Sequence, residues 1–202
     1  MCIIAVMANK IAYKQLRELG RIFSGAPIYS IAKLSDGENG IPLLNIKDIV
    51  SGTVATQNLS YVSADNFKNA EHYLVRPGDV LVACRGTQLK AGVVPEGIGK
   101  ALITANLIGI RLIEEILPEF LAAYFQTEDG QKELLAHATS TTQLVLNVAD
   151  AEKIMVPVPP RAMQEKIAGL INMADQQYRL NMEMANLNRK IAHQVLIDML
   201  NK

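Results

Sequence analysis

The 202-residue sequence predicts an α+β fold, a strand-rich domain over residues 1–158 followed by one long α-helix over residues 159–202. Three observations predict it. Between about residue 16 and residue 157, short apolar runs are broken by glycine, proline and asparagine, and their lengths and β-branched content favour strands. After Pro157-Val158-Pro159-Pro160, residues 161–200 contain no proline and only one glycine, Gly169, so little interrupts a helix. The composition, 50% apolar and 20% charged with mean hydropathy of +0.14, suits a chain with a real core and excludes a disordered one.

The strand candidates are residues 41–49, 80–84, 102–112 and 154–158. Pro77-Gly78-Asp79 is turn chemistry leading directly into Val80-Leu81-Val82-Ala83. Cys84 alternates with Val80 and Val82 on one strand face, which makes it a core thiol. A turn-rich loop over residues 86–92 and glycines at 97 and 99 follow. Pro118 opens a helical interlude, Gly130 interrupts it, and residues 131–138 resume it.

At about 1.5 Å per residue, the final 40 helical residues extend about 60 Å. Ile167, Leu170, Ala174, Leu180, Met184, Leu187, Ile191, Val195 and Met199 recur at helical spacing and form one stripe. Gln177, Asn181 and Asn188 lie near it, where polar groups fix register against a partner helix. A terminal helix covering its own domain is the plainer alternative, but the length favours a partner helix.

Basic and acidic residues number 20 each, and this zero net charge argues against an unaided, non-specific polyanion binder. Residues 1–158 carry 14 basic and 16 acidic side chains, residues 159–202 carry 6 and 4, and no basic run reaches five. Two cysteines, Cys2 and Cys84, are too few for a disulfide framework and suit a reducing, cytoplasmic compartment. The apolar start lacks the basic region of a signal peptide, and no apolar run is long enough to span a membrane.

Motifs for catalysis are absent from the sequence. Gly92 and Gly97 have the separation of a phosphate loop, but Ile98 stands where lysine is needed. His72, His137 and His193 are isolated from cysteine pairs, so no metal and no cofactor is expected. Asp79 lacks the downstream acidic-x-lysine triplet of a nuclease. The Val156-Pro157-Val158-Pro159-Pro160 segment is not the Asn-Pro-Pro-aromatic box of an adenine methyltransferase. The expectation is a non-catalytic protein.

Polar recognition chemistry is better represented. Arg85, Thr87, Gln88 and Lys90 surround Gly86, and arginine and glutamine make bidentate pairs with guanine and adenine edges. Thr104 and Asn106 form a second polar stretch. Thr141, Thr142 and Gln143 close a third. Any one alone reads as a solvated loop, whereas three on one scaffold suggest a recognition surface.

The order of segments carries more. Residues 19–25 (LGRIFSG), 41–49 (IPLLNIKDI), 74–81 (LVRPGDVL), the glycine loop to Gly92-Val93-Val94, and the ending IMVPVPPRAMQ with Gln164 follow in succession. This succession resembles the target recognition domain and conserved helix of the specificity subunit of type I restriction-modification enzymes. Met163 stands where the family usually has an acidic residue. The resemblance implies a DNA-binding subunit with one recognition domain and one helix where the full subunit has two of each. It further implies an antiparallel coiled coil that makes a homodimer of two copies, the reading of one half-site per chain, and methyltransferase and motor-endonuclease subunits as partners. Double-stranded DNA is the implied ligand. Two other classes remain open: a transcription regulator with a loose helix-turn-helix around Gly130, and a non-DNA ligand-binding adaptor on a dimerising helix.

Overall fold

The computed structural model describes residues 11–27, 40–63, 70–86, 89–139 and 144–200. In chain order these form β1 (Ala12–Gln15), α1 (Leu16–Leu19), β2 (Gly20–Ser24), β3 (Gly40–Leu44), β4 (Ile49–Val50), β5 (Gly52–Val54), β6 (Ser60–Ser63) and β7 (Leu74–Val75). Next come β8 (Val80–Ala83), β9 (Arg85–Gly86), β10 (Ala91–Val93), β11 (Ala101–Ile103), β12 (Leu107–Leu112), α2 (Pro118–Gln126) and α3 (Glu128–His137). Then follow β13 (Leu144–Val145), α4 (Val148–Ala151), β14 (Met155–Val158) and α5 (Arg161–Leu200).

A six-stranded sheet in the order β2-β12-β8-β10-β5-β4 faces a four-stranded sheet in the order β6-β3-β11-β7. Strand β8 explains the stacking. Its side chains alternate between two cores: Val80 and Val82 join the one that holds α1 and α2, while Leu81 and Ala83 join the one shared with β7 and β11. All four are buried, so a strand covered on both faces reads as a continuous apolar run. The result is a helix layer, the larger sheet and the smaller sheet. Gly109 on β12 leaves room for Phe23, whose ring a Cβ would meet at 2.5 Å.

The turn before β8 is held by Asp79. Its carboxylate accepts the Arg76 N–H at 3.0 Å and a two-pronged contact from Arg111, at 3.0 Å from Nε and 2.7 Å from Nη2. Gly78 takes φ +84°, a conformation that suits glycine. The pair raises the Arg111 guanidinium further above its usual range, chiefly through this hydrogen bond. Asp79 is therefore structural.

Several boundaries differ from the sequence expectation. Residues 102–112 contain two strands, β11 and β12, separated by a turn at Thr104-Ala105-Asn106. Residues 41–49 are strand only to Leu44. A 3-10 turn over Ile46–Asp48 follows, in which Asp48 accepts the Asn45 N–H at 2.8 Å. The helical interlude breaks at Thr127, not at Gly130. Thr127 Oγ1 accepts the Gly130 N–H at 3.1 Å and caps α3, whose third residue is Gly130. Glycine is required there because a Cβ would lie 2.0 Å from the Tyr124 carbonyl oxygen.

Strand β14 pairs antiparallel with β1, from Ala12 opposite Val158 to Gln15 opposite Met155. The start of the described domain thus lies beside its end, immediately before α5.

Candidate nucleic-acid interface

Strand pairing draws the predicted polar stretches together. β9 pairs with β13, placing Arg85 opposite Val145 and Gly86 opposite Leu144. The Leu146 N–H donates to the Cys84 carbonyl at 2.9 Å, and the Cys84 N–H donates to the Asn106 carbonyl at 2.9 Å. Thr139 and Val145 exchange backbone hydrogen bonds of 2.8 and 3.0 Å, which closes the base of the loop between them. Arg85, Asn106 and the two ends of that loop therefore share one end of the domain.

Behind them the anchoring is apolar. Cys84 is buried, its Sγ donates to the Ala105 carbonyl at 3.3 Å, and burial pushes its thiol pKa up, so it is a neutral core group. Leu89 is fully buried and fixes the far side of the Arg85 loop. The Gln131 side-chain amide donates to the Leu89 carbonyl at 3.0 Å and also to the Phe125 carbonyl, tying the loop to α2 and α3.

Arg85, Lys90 and Asn106 are exposed at this end. Thr87, Gln88, Thr141, Thr142 and Gln143 lie outside the described residues. Thr104 departs from expectation. Its side chain is buried, with 8% exposure, because its backbone bridges to Ala26 and continues the sheet edge, so it is not part of an exposed polar surface.

Lys90 also borders an open cleft of about 700 Å³ between the domain and α5, together with Gln126, Gln131, Asp175 and Tyr178. The turn Ser51-Gly52 forms another wall. Both residues have positive φ, 45° and 73°, the geometry of a tight two-residue hairpin joining β4 to β5.

Helix α5 lies against the domain only along its first four turns, from Gln164 to the half-buried Ile171 and Asp175. Gln164 and Ala168 are its buried residues, and Ile167 packs partly against the core. Gln164 is 1% exposed. Its Oε1 accepts the Leu117 N–H at 2.8 Å, while its Nε2 donates to the Glu115 and Pro159 carbonyls at 3.1 and 2.9 Å.

From Leu170 onward the apolar residues face outward, except Ile171, which is half-buried beside α2. Leu170, Met173, Leu180, Met184, Leu187, Ile191 and Val195 are each exposed by 51% or more. Leu170, Met173, Gln177, Leu180, Met184, Leu187 and Ile191 follow alternating steps of three and four, the spacing of a coiled-coil seam. Four members of the predicted stripe fall off this seam. Ile167 turns inward onto the domain, and Ala174, Val195 and Met199, though exposed, each lie one residue out of phase.

Met173 was missed because Ala174 seemed to continue the stripe, although the step from Leu170 to Met173 was readable. The roles of Gln164, Gln131 and Asp79 had weaker signals. No local pattern marks their partners, and only the fold reveals the backbone groups each satisfies.

The helix-turn-helix alternative loses its geometry. Helix α2 buries Phe120, Leu121, Ala122, Ala123 and Phe125, and the exposed face of α3 carries Glu128 and Asp129. Lys132 on that face pairs with both, at 2.7 and 3.8 Å. Among the described residues, no group of three or more His, Cys, Asp or Glu side chains is placed to hold a metal. No described helix is long and apolar enough to cross a membrane.

Comparison with known proteins completes the picture. Over 169 residues the chain is 22% identical to the type I restriction enzyme MjaVIII specificity subunit of Methanocaldococcus jannaschii, covering 79% of this chain and 40% of that protein. Over 132 residues it is 26% identical to the type I restriction enzyme EcoBI specificity subunit of Escherichia coli, covering 65% of this chain and 28% of that one. The chain thus spans less than half the length of either relative. Its fold is similar to the crystal structure of the HsdS subunit from Thermoanaerobacter tengcongensis, with a TM-score of 0.62 and 19% identity over 91% of this chain and 42% of the other. Residues 9–187 match the family described as the type I restriction modification DNA specificity domain, and with that coverage the chain belongs to this family.

Proposed function

We propose that this chain is a non-catalytic DNA-recognition subunit of a type I restriction-modification system, and that it reads one half-site with the loop end of its domain. The observation that supports this reading is the β9–β13 pairing, which sets Arg85 opposite Val145, with the Cys84 N–H bonded to the Asn106 carbonyl beside it, so that Arg85, Asn106 and the flanks of residues 140–143 share one end of the domain. Family membership supports the ligand class. Arg85 and the neighbouring Gln88 have the hydrogen-bonding capacity to read guanine and adenine edges, while Lys90 is suited to a phosphate.

In this reading α5 pairs antiparallel with α5 of a second copy along the seam from Leu170 to Ile191 and docks methyltransferase subunits, through which the motor-endonuclease joins. Identical domains related by a twofold axis read identical half-sites in inverted order. Few cations at the loop end fit a subunit that reads base edges while its partners grip the phosphates.

Fluorescence anisotropy tests this with a labelled duplex pool, titrated from about 50 to 200 mM salt, with and without the methyltransferase subunit. The expected result is weak binding by the chain alone, tightening with the methyltransferase, and a steep fall with salt. Binding indifferent to salt, or unaltered by Arg85→Ala and Gln88→Ala together, contradicts the proposal.

A further inference from the structure

Resting on the recognition reading above, we propose that Gln164 is a positioning residue: it holds the angle between domain and helix, and through that angle the spacing of the two half-sites. Few buried side chains hold α5, although Ile167, Ile171 and Asp175 are half-buried against the domain. Of its 40 residues only Gln164 and Ala168 are buried. Alanine supplies packing without direction, whereas Gln164 makes three hydrogen bonds whose geometry is fixed.

Those bonds reach two segments. The Leu117 N–H and the Glu115 carbonyl belong to the loop before α2, and the Pro159 carbonyl belongs to the link after β14. One side-chain amide therefore joins the end of the sheet, the entry to α2 and the first turn of α5. The other polar ties at this junction lie at the surface. Arg161 donates to the Glu114 carbonyl at a long 3.4 Å, and its partner Glu165 lies on α5 itself.

The lever is long enough to matter. Gln164 sits at the Leu117 end of α2, whereas the cleft bordered by Lys90 lies at the Gln126 end. Helix α2 alone is about 14 Å long, and the recognition loops lie beyond it, on the order of 20 Å from the junction. A swing of about 10° there moves the loop end by about 3.5 Å, close to the ~3.4 Å rise of one base pair. A loosened junction therefore admits spacers that a held one rejects.

Gln164→Met keeps the side-chain volume and removes all three bonds. Gln164→Glu retains the acceptor for the Leu117 N–H and loses both donations. Two measurements on the full chain read the effect. In the first, duplexes enriched from a randomised pool by the chain with its methyltransferase are sequenced to give half-site bases and spacer lengths. In the second, spin labels at Lys132→Cys on α3 and Arg189→Cys on α5, in a Cys2→Ser background diluted with unlabelled chain, give the domain-to-helix distance distribution.

The expected result is unchanged half-site bases, spacers spread from one length to two or more, and a broadened distance distribution in both variants, with Gln164→Glu at least as broad as Gln164→Met because its buried carboxylate faces the Glu115 and Pro159 carbonyls. Distances as narrow as the parent's, or a single retained spacer, in both folded variants overturn the proposal. Loss of folding in both also overturns it, since Gln164 would then serve stability alone. If the parent chain enriches no bipartite sequence, the recognition reading fails, and the distance distributions alone decide whether Gln164 holds the angle.

Discussion

The domain and its helix dispose of apolar surface in opposite ways. Strand β8 buries every side chain it has, on both faces of the larger sheet. Helix α5 buries two residues of 40 and leaves Leu170, Met173, Met184 and Leu187 open by 57–70%. A sheet between two layers satisfies itself, while a helix that runs off its domain has only its first turns satisfied. An exposed apolar seam of that length marks an interaction site. The stability of the domain should therefore be a property of the single chain, and that of the distal helix a property of the assembly.

The largest effect should come from breaking the seam. Leu187→Glu with Ile191→Glu is expected to weaken self-association by more than about a hundredfold, since each buried aliphatic side chain contributes roughly 1.5–3 kcal/mol. Sedimentation equilibrium reads this, and urea unfolding of the domain should be unchanged. The reciprocal variant, Asp79→Ala, leaves Arg111 and the Arg76 N–H without their acceptor and should cost the domain about 3 kcal/mol in urea unfolding. Self-association should then persist in the folded protein. If either variant damages both properties equally, the two regions are not independent.

A smaller effect is expected at the loop end. Arg85→Ala should weaken binding to the preferred duplex by about 1–3 kcal/mol and relax base preference at one position of each half-site, read by anisotropy on single-base variants. Lys90→Ala should weaken all sequences alike and lower the salt dependence by about one unit.

The smallest effect concerns α4. Asp150 accepts from Lys153 at 2.8 Å and from the Asn147 side chain at 2.7 Å, and these contacts, Lys153 first, hold its carboxyl below the usual range. A lowered carboxyl pKa stabilises the fold above the unfolded value and loses that contribution as pH falls through the folded one. Thermal melts of Asp150→Asn should therefore differ slightly from the parent at neutral pH and converge with it in acid.

Much of this division was legible in the sequence. The proline-free stretch after Pro160 announced α5, and Val80-Leu81-Val82-Ala83 after a Pro-Gly turn announced a strand, though not that both its faces would be covered. The misreadings share a cause. Gly130 and Thr104 were judged by residue type, yet tertiary neighbours decided their roles: the Tyr124 carbonyl excludes a Cβ at Gly130, and the bridge to Ala26 places Thr104 in the sheet. Ile167 fits the helical spacing but falls on the inward face, because periodicity does not say which face meets the domain. Arg85 and Val145 meet because β9 pairs with β13 across nearly 60 residues, a long-range contact that no local pattern encodes.

Sequencing duplexes enriched from a randomised pool by the chain together with its methyltransferase tests at once whether one domain reads a half-site and whether one helix pairs two such domains. The expected result is a single short motif occurring twice, in inverted orientation, across a spacer of fixed length. A motif occurring once, or repeated in the same orientation, would contradict it.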